Sequence, residues 1–117
     1  MRNEMRHHGW GSRREWLALW ILLMAAEKPA HGYEILGRLE EMGMGISPGV
    51  LYRTLRALEA QGLVESHWSM PGGPARRIYR LTPQGWNHLR YLKGLLQDQK
   101  STLEKVIDKI NKLEEGR

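Results

Sequence analysis

Cysteine is absent from this chain, so there is no disulfide frame and no thiolate to act as nucleophile or metal ligand. Apolar runs of membrane length are also missing. The longest, Trp16 to Ala26 (WLALWILLMAA), ends at Glu27-Lys28 and Pro29. A bilayer span needs about 20 apolar residues. The residues before Trp16 are polar, so no secretory signal is expected, and a cytoplasmic protein without a membrane partner is expected. His7 and His8 are adjacent, but His31, His67 and His88 show no ligand spacing, so no metal is expected. The carboxylates are scattered. Gly43 and Gly45 precede a helical pattern, but no strand precedes them, as a phosphate-cradling loop would require. Neither an enzyme nor a cofactor is expected.

The chain does carry positive charge, unevenly distributed. Its 117 residues bear a formal net charge of +5, with a sequence pI near 9.8, which favours a polyanionic partner. Residues 1–82 contain 11 Lys and Arg, all arginine except Lys28; residues 83–117 contain 7, all lysine except Arg90 and Arg117. Arginine forks suit phosphates and guanine edges, whereas lysine suits a solvated surface. The length is that of one domain with a modest core.

The most informative stretch runs from Ile46 to Thr82 (ISPGVLYRTLRALEAQGLVESHWSMPGGPARRIYRLT). Ser47 is a good N-cap and Pro48 suits the first helical position. Leu51, Leu55 and Leu58 recur at helical spacing and predict one buried stripe; Gly62 ends the helix. Tyr52, Arg53 and Arg56 fall away from that stripe, among the small residues Gly49, Ala57 and Ala60. Small residues permit close approach, and arginine supplies bidentate donors. Alone, two arginines on a helix could be an ordinary solvated face. Two strand patterns then follow, Leu63 to Trp68 and Arg77 to Leu81, joined by Pro71-Gly72-Gly73-Pro74, with Arg76 and Arg77 at the loop exit. A helix followed directly by a basic hairpin predicts a winged helix-turn-helix, with Ser47, Gly49, Tyr52, Arg53, Arg56, Arg76 and Arg77 contacting double-stranded DNA.

Upstream, Trp16 to Ala26 predicts the central core helix. A second helix is expected from His31 to about Met42, burying Tyr33, Leu36 and Leu39. Met42-Gly43-Met44-Gly45 forms the turn between helices. Here the chain resembles the PadR family of bacterial transcriptional regulators. The matching pieces are HGYEI at 31–35, ISPGVLYRTLRALEAQGLV at 46–64, Trp68, and GGPARRIYRLTPQG at 72–85. They span about half the chain in family order. The resemblance implies a homodimeric, operator-binding repressor, often responsive to a small molecule, of the compact subgroup that ends in one long helix. Arg53 departs from the pattern: many members carry proline after the Leu-Tyr pair.

Thr82-Pro83 again reads as an N-cap and first helical position. The helix can run to about Glu115. Leu89, Leu92, Leu96, Gln99, Leu103, Val106, Ile110 and Leu113 alternate in steps of three and four, a heptad seam with one polar member. One domain of this size cannot bury so long a stripe, so a second copy is expected to cover it, with Gln99 setting register. A helix folded back on its own domain is the alternative.

The expected fold class is therefore mainly α with a small β-hairpin: residues 1–14 a mobile basic arm, 15–82 a winged helix-turn-helix, and 83–115 a dimerisation helix. Three functions stay open: a repressor released by a small aromatic ligand, a DNA-binding regulator without a ligand, and a winged-helix module for protein contacts. Convergent arginines argue against the third. The family's flat aromatic ligands point to Trp86 and Tyr91, with Trp16 and Trp20, as the ligand site; the tryptophans at 16 and 20 also suit plain core packing.

Overall fold

The computed structural model describes residues 10–70 and 72–117, so the first nine residues of the expected 1–14 arm, His7 and His8 among them, and Pro71 of the wing loop lie outside the described residues. The order of elements is α1 (Arg13–Glu27), β1 (Ala30–His31), α2 (Gly32–Glu41), α3 (Pro48–Ala60), β2 (Val64–Ser69), β3 (Arg76–Leu81) and α4 (Pro83–Glu115). It is mainly helical with a small antiparallel sheet, as expected. The chain divides into two compact units at Trp86/Asn87.

Helix α1 starts earlier than its apolar run because of a capping box. Ser12 Oγ accepts from Glu15 N at 3.2 Å, and Glu15 Oε1 accepts from the N–H groups of Gly11 and Ser12 at 2.9 and 3.0 Å. Arg13 and Arg14, expected in the arm, are therefore the first two helical residues. Leu17, Leu19, Ile21, Leu22, Met24 and Ala25 are buried. In α2 the buried residues are Gly32, Ile35, Leu36 and Leu39, while Tyr33 is 75% exposed. This corrects the expectation that Tyr33 is buried. Ile35 sets the inner face, and Tyr33 lies about 200° round the helix from it.

Helices α2 and α3 end alike. Gly43 and Gly62 have φ of 82° and 80°, a conformation glycine adopts without Cβ strain. The next residue bonds back each time: Met44 N to Leu39 O at 2.9 Å, and Leu63 N to Leu58 O at 3.0 Å. Both are Schellman closures. The first aims the chain into α3, where Leu51, Leu55 and Leu58 are buried as expected. Truncating one such leucine to alanine costs about 2–5 kcal/mol.

The sheet has the order β1-β3-β2, with Ala30 opposite Tyr79 and Val64 opposite Leu81. Strand β1 is an addition to the expected hairpin; two residues carry no readable periodicity. Pairing of Ser66 with Tyr79 and Trp68 with Arg77 puts these four side chains on one face of the hairpin. At its base, Thr82 Oγ1 donates to Gly62 O at 2.6 Å and accepts from Gly85 N at 3.0 Å. One hydroxyl thus caps α4 and ties it to the end of α3.

Candidate nucleic-acid interface

Helix α3 presents what its spacing predicts. Ser47 Oγ caps it, accepting from Val50 N at 3.2 Å. Gly49, Arg53, Arg56, Ala57 and Ala60 all lie on its outer side; Gly49, Arg53, Arg56 and Ala60 are exposed and Ala57 with them. Arg53 folds back along the helix: a Cβ on Gly49 would lie 3.8 Å from its guanidinium. Tyr52 is different. It is half-buried, its ring lying over Gly32 of α2, where a Cβ would meet Cε1 at 2.6 Å and Oη at 2.8 Å.

A cleft of about 760 Å³ opens between α3, the start of α2 and the wing. Arg56, Arg76 and Arg77 line it together with Tyr52, Trp68 and His31. Arginines from α3 and from β3, the second strand of the hairpin, converge here. The two wing arginines are held differently. Arg77 stacks its guanidinium 4.9 Å from the centre of the Trp68 ring, and its Nε donates to Ser66 Oγ at 2.8 Å. Ser66 in turn donates from both N and Oγ to Glu59 Oε2 of α3, at 3.2 and 2.8 Å. This chain of bonds fixes the wing against α3. Neither Glu59 nor Ser66 stands out in the sequence; only the fold brings them together. Beneath them Tyr79 is buried, and burial with the nearby Glu59 charge raises its pKa, so it stays a neutral phenol.

Arg76 is held less firmly. Its Nη1 lies 3.1 Å from His31 Nε2, while His31 Nδ1 lies 3.3 Å from Glu34 N, whose N–H it caps. A neutral imidazole has one acceptor nitrogen, so His31 can cap α2 or accept from Arg76, but not both. When it caps, Arg76 has no acceptor there and its donors are available to an outside oxygen.

The expected ligand residues are not gathered in this way. Trp86 is 48% and Tyr91 61% exposed, Tyr91 stacking on His88 at 6.1 Å. Trp16 packs edge-on against Trp10 at 5.0 Å, and Trp20 lines a small cavity of about 260 Å³. Along α4, Leu92 is buried and Leu96 and Gln99 are half-buried, as is Leu89. Leu103, Val106, Ile110 and Leu113 are exposed, as is Ile107, an apolar neighbour outside the expected seam. Among the described residues no group of three or more His, Cys, Asp or Glu could hold a metal, and no helix is long and apolar enough to cross a membrane.

An α3 with outward arginines, a preceding tight turn and a basic hairpin define a winged helix-turn-helix protein. Known proteins name the family. The model of the PadR-like family of transcriptional regulators matches residues 21–91, more than half the chain, which belongs to that family. Transcriptional regulator Rv3488 of Mycobacterium tuberculosis is 44% identical over 73 residues, covering 62% of this chain and 68% of that protein. The crystal structure of TM0937, described as a potential transcriptional factor, is 41% identical, covers 90% of this chain and 96% of its own, and superposes with a TM-score of 0.77. A PadR family transcriptional regulator from Eggerthella lenta is 33% identical over 81% of this chain and 84% of its own, with a TM-score of 0.72. The chain is thus a PadR-like, DNA-binding transcriptional regulator.

Proposed function

We propose that the protein is a homodimeric repressor that binds a palindromic operator in the cytoplasm and is released by a small aromatic ligand. The observation that carries this reading is the convergence of Arg56, Arg76 and Arg77 on one cleft beside the exposed face of α3. Helix α3 enters the major groove, with Ser47 and Gly49 at its close-approach end and Arg53 and Arg56 reaching base edges or phosphates. Arg76 and Arg77 take the backbone beside it, and Tyr52, clamped on Gly32, packs the cleft between helix and wing. Bound operator then excludes the transcription machinery.

The seam of α4 supports the dimer. Four exposed apolar residues at three- and four-residue steps, Leu103, Val106, Ile110 and Leu113, suit a helix from a second copy. Two-fold symmetry then sets the half-sites about one helical turn apart, roughly 34–36 Å. Trp86 and Tyr91 are the sensor for a flat aromatic compound, which shifts the dimer only if it binds its two arrangements unequally.

Gel shifts against genomic fragments test the interface. The wild type should select particular fragments, and an Arg56→Ala/Arg76→Ala/Arg77→Ala variant should no longer retain them. Equal binding by the two proteins would refute the assignment.

A further inference from the structure

A second basic groove lies on the other side of α3. It has a volume of about 730 Å³ and runs between the first turn of α1, the turn into α3 and the outer face of α3. Arg13 and Arg14 line it from α1 and Arg53 lines it from α3; Leu17 and Leu58 form part of its buried floor. No carboxylate lines it among the described residues. Glu15, next in sequence, is engaged with the N–H groups of Gly11 and Ser12, and that bonding lowers its pKa and keeps it ionised. The ion pairs found among the described residues join Glu27 to Arg38 and Glu34 to Lys28, and none takes Arg13, Arg14 or Arg53.

The position of Arg13 and Arg14 is itself costly. The first turn of a helix favours acidic side chains, because its free N–H groups carry partial positive charge. Two consecutive arginines there oppose this local preference, and such a conflict points to a use outside the helix. The arrangement across α3 suggests the use. Arg53 and Arg56 lie on the same helix and lean to opposite flanks, Arg56 into the wing cleft and Arg53 into this groove. A helix about 10–12 Å wide fills a major groove about 12 Å wide, so a phosphate strand borders it on each side. The wing serves one strand.

We infer that Arg13, Arg14 and Arg53 form a second phosphate-binding flank, which grips the strand across the major groove from the wing. The inference rests on the placement of α3 in the groove proposed above. It extends the DNA footprint to the first turn of α1, and makes that turn a part of the interface rather than of a tail.

The test is duplex binding by the full chain, read as anisotropy of a labelled random-sequence duplex of about 30 base pairs between about 50 and about 200 mM salt. The Arg13→Gln/Arg14→Gln variant should bind severalfold more weakly, with a salt slope shallower by about 0.9 for each phosphate no longer neutralised. Arg13→Lys/Arg14→Lys should restore the slope, because lysine keeps the charge. The thermal midpoint of the glutamine variant should equal or exceed that of the wild type, since unfavourable charge leaves the helix start; this separates weaker DNA binding from damage to the fold. Should that variant melt early, the single Arg14→Gln variant carries the same comparison. A wild-type slope in the glutamine variant, alongside a reduced slope in Arg76→Ala, would overturn this flank and leave the wing assignment standing. Wild-type slopes in both would overturn the wider placement of α3 as well.

Discussion

The ring of Tyr52 in α3 occupies the space that a Cβ on Gly32 of α2 would need, with Cε1 at 2.6 Å and Oη at 2.8 Å from that position. The two residues come from two separate stretches of the PadR-like pattern, and their packing explains both. Glycine at 32 lets the ring pack between the helices, where it stands beside Arg56 and Trp68 on the cleft wall. Gly32→Ala should therefore act on binding more than on stability. The atoms it strikes are the far end of a side chain that can rotate away, so the ring leaves the cleft and the fold persists.

Gly85→Ala is the contrasting case. A Cβ there would strike the carbonyl oxygen of Leu63 and the side chain of Leu81, and a backbone oxygen cannot swing aside. Overpacking of this kind costs about 1–3 kcal/mol. Urea denaturation should show a lower midpoint for Gly85→Ala than for Gly32→Ala. The reverse order would mean that α4 shifts more easily than Tyr52.

Arg76 and Arg77 should separate in mutation despite being adjacent. Arg77 is bound to Ser66 and stacked on Trp68, so Arg77→Ala should loosen the wing as well as weaken DNA binding. A Trp68/Arg77 double-mutant cycle on stability should give a coupling of about 0.5–1 kcal/mol. Arg76→Ala should leave stability unchanged and reduce the salt slope of duplex binding by about 0.9. Identical stability for the two variants would contradict the held-and-free distinction.

The α1 cap should depend on pH. Glu15 has a lowered pKa in the folded chain, chiefly through the backbone N–H of Ser12. A depressed folded value means that its contribution is complete above the ordinary glutamate range, about 4.3, and disappears as pH falls through the lower folded value. The stability gap between wild type and Glu15→Gln should therefore be constant near neutrality and close in acid. Ser12→Ala should cost about 1 kcal/mol at neutral pH. A gap that widens in acid would remove Glu15 from the cap.

Leu103→Lys and Ile110→Lys test the seam without burying charge in the isolated chain, since both sites are at least half exposed there. Sedimentation at micromolar concentration should show a dimer for the wild type and a monomer for the double variant. The monomer should bind a palindromic site far more weakly, because its two half-sites are then bound independently. A wild-type monomer would rule the dimer out.

Planar aromatic compounds should quench tryptophan fluorescence saturably in the wild type and much less in Trp86→Leu, and they should lower operator affinity. Unchanged quenching in Trp86→Leu and Tyr91→Leu would favour a regulator that works without a ligand.

Periodicity alone is enough for the helices. Leu51, Leu55 and Leu58 read as a buried stripe because burial repeats every 3.6 residues, and Ser47, Gly62 and Thr82-Pro83 mark boundaries because caps and stops are local chemistry. The outward arginines of α3 follow by subtraction. What depends on distant residues is not legible. Tyr33 is exposed where burial was expected and Tyr52 is half-buried where exposure was expected, since which aromatic faces inward depends on how α2 and α3 cross. Strand β1 exists only because β3 offers it an edge. Glu59 becomes the anchor of the wing only once Ser66, seven residues on, is folded against it. Arg13 and Arg14 read as a tail until the Ser12–Glu15 box places them on α1 and tertiary packing sets them beside Arg53. Sequence thus determined the elements, because their causes lie within a few residues; the partners of each charged side chain were decided by packing, because hydrogen bonds and grooves join residues that only the fold brings within reach.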